Sequence, residues 1–218
     1  LALLDIKGSV ITIDAMGTQK NIASLIIGKG GEYILALKGN QGNLHNEVID
    51  FFNKTDSDAF KHYIFQTDSE IDKGHGRIEE RTCTTITNLN WLLETDAWKG
   101  IKSIVRIVSK VTVKDRTSVE TRYYISSLNG NASFINRAIR KHWHIENKLH
   151  WILDVIFNED YSRVRTGNGA QNLSTVRKIA MNKIKSDTSV KDSFKSKRAK
   201  AGWNDDYALK IFASMMVK

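Results

Sequence analysis

The first 54 residues alternate between strand-like and helix-like segments, and this order constrains the fold more than any other feature of the chain. GSVITIDAMG is β-branched and alternating and ends at Asp14, whereas TQKNIASLIIGKGG spaces its apolar residues as a helix does. EYILALKGNQG repeats the strand pattern, and NLHNEVIDFFNK repeats the helix pattern. Strand–helix–strand–helix at this spacing predicts two parallel neighbouring strands in an α/β sheet.

The rest of the chain divides into a β-rich part and a helical part. HYIFQTDSEI, GRIEERTCTTIT, IKSIVRIVSKVTV and VETRYYISSL predict four antiparallel strands, and WLLETDAW predicts a short helix. Helices are expected at residues 131–157, about 170–185 and about 205–216, with KDSFKSKRAKAGW as a basic connector. We therefore predict three parts: a partial α/β core at 1–57, a β-rich insertion at 58–128, and a helical part at 129–218 that completes the core.

The net charge of +9 lies entirely in the last part of the chain. Residues 1–128 hold 16 basic and 16 acidic side chains, whereas residues 129–218 hold 17 basic and 8 acidic ones. Such asymmetry points to a polyanion partner, with an ordinary solvated surface as the alternative.

Location and completeness are also constrained by composition. The single Cys83 excludes an internal disulfide framework and fits a reducing cytosol. No apolar run approaches the roughly 20 residues that cross a bilayer, so we expect a cytoplasmic protein. The chain starts at Leu1 in the middle of a pattern and has no Pro, which suggests a piece of a longer protein.

The segment IRKHWHIENKLHWILD, residues 139–154, holds a carboxylate in an unusual place. On a helical wheel Glu146 falls at the edge of an apolar arc, where a charge is costly unless it is paired or bound to a cation. It either pairs with a neighbouring Lys or Arg or is placed for chemistry. His142, Glu146 and His150 also share one helical track and could hold zinc, although the H-E-x-x-H spacing is missing.

Six segments together resemble one transposase family over essentially the whole chain. They are, in order, ITIDAMGTQ, YILALKGNQG, HGRIEER, YYISSL, IRKHWHIENKLHWILDVIFNED and AQNLSTVRKIAMN. They look like the H-repeat-associated, ISAs-type insertion-sequence transposases of the DDE class. This resemblance implies a ribonuclease-H-like core, with a β-rich insertion between the second catalytic Asp and the catalytic Glu.

The resemblance assigns Asp14 as the second catalytic Asp and Glu146 as the catalytic Glu. Read from position alone, Asp14 could instead be a strand-end residue that caps the next turn. The first catalytic Asp is expected ahead of Leu1, so this chain by itself is expected to be inactive. Related transposases carry a Tyr–Arg–Glu–Lys signature, of which only the Glu remains here. Its phosphate-gripping role must fall to other residues, for which we name Arg140, His142 and Lys148.

Two-metal phosphodiester chemistry explains why carboxylates are needed. Two divalent ions roughly 4 Å apart serve the attacking and leaving oxygens, and Mg²⁺ or Mn²⁺ prefers carboxylate ligands. The carboxylates of Asp14 and Glu146 should therefore lie within about 8 Å of each other.

Further residues are predicted to contact DNA. Lys38, Asn40 and Gln41 leave the second strand where ligands commonly bind, although an ordinary glycine turn is the alternative. Trp151 could stack on a base. Arg163, Arg165, Arg177 and Lys178 could line a DNA path, with a solvated surface charge as the alternative for each. Lys197 and Arg198 belong to the basic connector and are expected to neutralise phosphates.

The leading hypothesis is a DDE transposase fragment that binds, cuts and joins DNA ends, and a homodimer acting on paired ends would fit this class. The alternatives are a catalytically dead DNA-binding remnant and a zinc-stabilised helical interaction module.

Overall fold

The computed structural model describes residues 3–54, 63–74, 76–145 and 149–213. Within these residues the strands are β1 Val10–Ile13, β2 Glu32–Leu37, β3 Phe65–Gly74, β4 Arg77–Ile86, β5 Ser103–Val113 and β6 Arg116–Ser126. The helices are α1 Lys20–Gly28, α2 Gly42–Lys54, α3 Ala132–Ile145, α4 Gly169–Ser186, α5 Phe194–Trp203 and α6 Asp205–Ala213.

The six strands form one mixed sheet in the order β1-β2-β6-β5-β4-β3. The predicted parallel pair is confirmed, because β1 and β2 run in parallel with Val10 opposite Glu32. β2 pairs antiparallel with β6, with Leu37 opposite Tyr123. The other strand pairs are antiparallel, as the β-rich pattern predicted. The β-rich segment thus extends the same sheet that begins with β1 and β2.

Helices cover both faces of this sheet. Ile26 of α1 and Val48 of α2 are fully buried in one apolar core, together with the inward side chains of β2. Ile135 and Ile139 of α3 are buried in a second core on the opposite face. Burying an Ile side chain contributes roughly 1.5–3 kcal/mol, so the apolar stripe of α3 explains why this helix packs on the sheet.

Two local predictions need correction. WLLETDAW forms only a short 3-10 turn at Thr95–Ala97, since the core is filled by Leu92 and Trp98 on either side of that turn. KDSFKSKRAKAGW is not a simple connector, because it contains α5, capped by Ser193, whose side chain accepts a hydrogen bond from the backbone of Ser196. The helix predicted at 131–157 is α-helical over Ala132–Ile145 and π-helical over Ile152–Ile156, and residues 146–148 lie outside the described part.

The chain divides into two compact units, Leu1–Trp143 and His144–Lys218. The first holds the whole sheet with α1, α2 and α3 as far as Trp143. The second is helical, with Ile184, Tyr207 and Ile211 at its centre. The three-part division predicted from sequence places its boundaries elsewhere and stays a prediction. In the described part of the chain no helix is both long and apolar enough to span a membrane.

Candidate active site at the end of β1

Asp14 and Lys38 lie at the same edge of the sheet because the strands that precede them are parallel. Asp14 follows the last residue of β1, and Lys38 follows the last residue of β2. Lys38 Nζ lies 3.6 Å from Asp14 Oδ1, and both side chains are exposed, at 60% and 65% respectively. An exposed pair of this kind is weak, so either partner is available to a ligand.

The environment of Asp14 favours its ionised form. The neighbouring backbone N–H of Ala15 lowers the pKa of the Asp14 carboxylate, with further lowering from the charges of Lys38 and His142. Partial burial opposes these effects without reversing them. Asp14 is therefore a charged, solvent-accessible oxygen ligand at neutral pH.

The end of α3 in the first compact unit lies over this edge of the sheet. His142 Nδ1 is 3.0 Å from Thr12 Oγ1, and Thr12 precedes Asp14 by two residues in β1. Side chains two apart in a strand share a face, so Thr12 and Asp14 both point toward α3. The contact orients the His142 ring and leaves Nε2 on its opposite side.

A second ion pair stands beside Lys38. Arg122 donates two hydrogen bonds to Glu120, of 2.6 and 2.8 Å, and its guanidinium lies 4.2 Å from the centre of the Trp143 ring. The hydrogen bond from Arg122 lowers the pKa of Glu120, and the charge of Lys38 adds to this effect. Alternating cations and carboxylates thus extend from Asp14 along the sheet edge.

Sequence reasoning did not select Thr12, Glu120 or Arg122. The period of two before Asp14 could have pointed to Thr12. For Glu120 and Arg122 we find no local signal, since their place depends on the β2–β6 register.

The side-chain amides of Asn40 and Gln41 point toward the turn that follows Asp14. Asn40 Nδ2 donates to the backbone oxygen of Ala15 at 2.5 Å, and Gln41 Nε2 donates to that of Thr18 at 3.0 Å. Both bonds hold the segment that follows Asp14. DNA contact by these two residues stays a prediction.

Arg140 is engaged with the sheet. Its Nη2 lies 2.5 Å from Asp72 of β3, and its side chain is 35% exposed. One turn earlier on α3, Asn136 bonds to Asp68 of β3 and to the buried Arg81 of β4. These contacts hold α3 against β3 and β4. The predicted phosphate contact by Arg140 would have to compete with its contact to Asp72.

Four predicted DNA-contact residues of the second compact unit have exposed side chains, and they differ in the contacts that those side chains make. Trp151 is 53% exposed, and Arg163 is exposed as well. Arg165 is exposed and donates to the backbone oxygens of Ser162 and Val164. Arg198 lies 5.1 Å from the centre of the Phe157 ring, a cation–π contact that leaves its charge in place.

Lys197 is the exception, because its side chain is only 12% exposed. Its Nζ donates to the backbone oxygen of Asp187 at 2.5 Å and lies 3.7 Å from the Asp187 carboxylate. Tyr207 donates to the same carboxylate at 2.7 Å. This partly buried node joins α5 and α6 to the end of α4, so we expect Lys197 to stabilise the unit rather than to contact DNA.

We expect Asp187→Asn to destabilise the second unit by roughly 1–2 kcal/mol, because it leaves a partly buried ammonium without its carboxylate partner. Urea unfolding monitored by circular dichroism measures the effect. Asp160→Asn, at an exposed position, is the matched control and should change stability by less than about 0.5 kcal/mol. Adding Lys197→Met to Asp187→Asn should recover part of the loss, and an unchanged Asp187→Asn midpoint would contradict the role given to this node.

The same carboxylate makes stability depend on pH. Hydrogen bonding to Ser189 and Tyr207 lowers the pKa of Asp187 from 3.8 to about 2. A lowered folded-state pKa contributes stability that is present above the unfolded value and is lost as pH falls through the folded one. We expect roughly 1 kcal/mol to be lost between roughly pH 4 and pH 2, since solvent screens a partly buried carboxylate, and urea unfolding across that range measures the loss. Asp187→Asn should remove this component of the dependence.

Two residues that matter most to the predicted chemistry, Glu146 and Lys148, lie outside the described residues. Within the part that is described, no group of three or more His, Cys, Asp or Glu side chains is arranged to hold a metal ion. The donor chemistry of Asp14 nevertheless fits a hard divalent cation, since it is an ionised and accessible carboxylate. The zinc alternative also requires Glu146 and stays untested.

The sequence of the chain matches one family of known proteins. Residues 1–183 match the family model described as "Transposase DDE domain". The chain belongs to this transposase family. The predicted resemblance is thereby confirmed, and the matched region includes both Asp14 and Glu146.

Curated relatives of this transposase family match nearly the whole chain. The "Putative transposase YncI" of Escherichia coli O157:H7 is 42% identical over 98% of the chain and 55% of its own length. The "H repeat-associated putative transposase YhhI" of Escherichia coli strain K12 is 38% identical over 98% of the chain and 57% of its own length. The chain therefore spans about half the length of these relatives. No solved structure matches it.

Proposed function

We propose that this chain is part of the catalytic region of a DDE transposase, which binds DNA ends and cuts and joins them with divalent metal ions. The observation that carries the proposal is the ionised, accessible Asp14 at the end of β1, in a chain that belongs to the transposase DDE domain family. In this proposal the sheet is a ribonuclease-H-like core. Its order, with a parallel pair at one edge and antiparallel strands beyond, supports that assignment.

Asp14 and Glu146 are the proposed carboxylate ligands of Mg²⁺ or Mn²⁺, with the third carboxylate supplied from outside these 218 residues. When bound, the metal ions would activate the attacking oxygen and stabilise the leaving one. His142 supports this arrangement, because it contacts Thr12 beside Asp14 and precedes Glu146 by four residues in the sequence.

The protein's own cations bind and orient the DNA in this proposal. Lys38 is exposed and its pairing with Asp14 is loose, so its ammonium can exchange that partner for a phosphate. His142 offers Nε2, while Thr12 holds the opposite side of the ring. The excess positive charge of residues 129–218 supplies the attraction to the DNA backbone.

A DNA-binding remnant without catalysis is the second candidate. It is favoured if the third carboxylate is missing from the whole protein, because a two-metal site with one ligand removed loses a metal position. Metal binding at Asp14 and DNA cleavage are separate measurements, and together they distinguish the two functions.

We expect Mn²⁺ to bind at the end of β1. Paramagnetic broadening of backbone amide signals in the full 218-residue chain is the measurement, and it should be strongest at residues 14–18 and 38–41. Asp14→Asn should remove this broadening because it replaces a charged ligand with a neutral one. Asp115→Asn, in the turn between β5 and β6, should leave it unchanged. Broadening confined to other acidic surfaces would contradict the assignment of Asp14.

A further inference from the structure

The two segments that follow β1 and β2 are tied together by side-chain amides. Asn40 Nδ2 donates to the oxygen of Ala15 at 2.5 Å and approaches that of Thr18 at 3.5 Å. Gln41 Nε2 donates to the oxygen of Thr18 at 3.0 Å. The segment that follows Asp14 therefore has carbonyl groups bonded from the neighbouring loop.

Residues 15–18, whose oxygens accept these bonds, form a tight turn that is also bonded to β2. The N–H of Gly17 bonds to the oxygen of Asp14, and the N–H of Thr18 bonds to that of Ala15, both at 3.0 Å. The Thr18 side chain is fully buried, and its hydroxyl donates to the oxygen of Ala36 in β2 at 2.6 Å. Hence the turn is attached to β2 by a hydroxyl and to the loop after β2 by two amides.

This attachment reaches Asp14 through the backbone of the turn. The backbone oxygen of Asp14 accepts the N–H of Gly17 at 3.0 Å and lies 3.4 Å from the Thr18 hydroxyl, while the oxygen of the adjacent Ala15 accepts the bond from Asn40. Fixing this turn therefore fixes the backbone from which the Asp14 carboxylate projects. Groups that orient a ligand in this way affect metal affinity by roughly 10- to 100-fold in metal sites.

We infer that Asn40 and Gln41 are positioning residues, which hold the turn at residues 15–18 so that the Asp14 carboxylate is preorganised for a divalent cation. This inference rests on the proposed function of Asp14 as a metal ligand. The role differs from the DNA contact predicted for Asn40 and Gln41, because both side-chain amides already donate hydrogen bonds to backbone oxygens.

The test compares Asn40→Ala, Gln41→Ala and the double variant with Asn43→Ala, which replaces an exposed amide on the following helix. Amide hydrogen exchange at Gly17 and Thr18 reports on the turn directly. We expect exchange at these two amides to quicken about tenfold in the double variant and to stay unchanged in Asn43→Ala. Exchange in the sheet core should not change, which separates local release from global destabilisation.

Mn²⁺ titration of the same variants is the second readout. We expect the affinity at the end of β1 to fall about tenfold in the double variant, with the thermal midpoint within a few degrees of the parent. Unchanged exchange at Gly17 and Thr18 would show that Asn40 and Gln41 do not hold the turn at residues 15–18. Faster exchange with unchanged Mn²⁺ affinity would overturn its positioning role.

The parent chain and Asp14→Asn keep this inference distinct from the proposed function. If Mn²⁺ binds the parent chain and Asp14→Asn does not weaken it, the metal assignment of Asp14 fails, and positioning for a metal fails with it. If Asp14→Asn abolishes binding while the double variant binds as the parent does, only the positioning inference fails. Loss of DNA affinity in the double variant, with exchange and Mn²⁺ binding unchanged, would return the two residues to DNA contact.

Discussion

Asp14→Asn and Glu146→Gln are each expected to lower Mg²⁺-dependent DNA strand cleavage by at least about 10³-fold. Both substitutions preserve shape and remove a charge that a divalent ion requires. The protein to test is one that also supplies the third carboxylate, because the chain spans about half the length of its relatives. Release of labelled strands from a duplex carrying the element's ends measures the effect.

The 218-residue chain alone is expected to cleave weakly or not at all, since two carboxylates do not complete a two-metal site. Asp115→Asn is the control for loss of a surface charge, and it should cleave at the parent rate. Full cleavage by Asp14→Asn would remove Asp14 from the chemistry. Robust cleavage by the 218-residue chain, abolished by Glu146→Gln, would instead contradict only the need for a third carboxylate from elsewhere.

DNA affinity is expected to fall by several hundredfold between 0.05 and 0.2 M salt. If about five phosphates are neutralised, the slope of log affinity against log salt is near −4 to −5. Arg163→Gln combined with Arg165→Gln should reduce the magnitude of this slope by about 2, because both arginines are exposed in the basic part of the chain. Fluorescence anisotropy of a labelled duplex across salt concentrations measures it.

Lys99→Gln combined with Arg116→Gln is the matched control, since it removes two exposed charges from the part of the chain with no net charge. Its slope should equal that of the parent. Truncation at residue 128 is unsuitable because it would remove Ile135 and Ile139, which fill one face of the sheet. Equal slopes for both double variants would contradict the placement of the DNA-binding surface.

The burial of each basic side chain decides whether its substitution is expected to change stability or DNA affinity. Lys197 belongs to a basic segment of the sequence, yet its ammonium donates to the backbone oxygen of Asp187 and its side chain is only 12% exposed. Its substitution should therefore register as lost stability, whereas substitution of Arg163 and Arg165 should register as lost affinity.

The sequence by itself determined the elements around Asp14 and their direction. Alternation of apolar residues before Asp14 and the helical spacing that follows it predict β1, α1, β2 and α2, all of which the structure contains. Their order predicts the parallel pairing of β1 with β2, because a strand–helix–strand unit closes in that way. The four antiparallel strands are likewise evident in their own patterns, since side-chain alternation is a local property.

Only the tertiary structure decided which distant side chains meet. The approach of Thr12 to His142 spans 130 positions and depends on how α3 packs on the sheet. The place of Glu120 and Arg122 depends on the register that sets Leu37 opposite Tyr123. The helix α5 was missed because its apolar residues form no clear stripe, and it is held instead by contacts such as that between Lys197 and Asp187. Local patterns report what a segment can form, whereas register, burial and pairing are set by the rest of the chain.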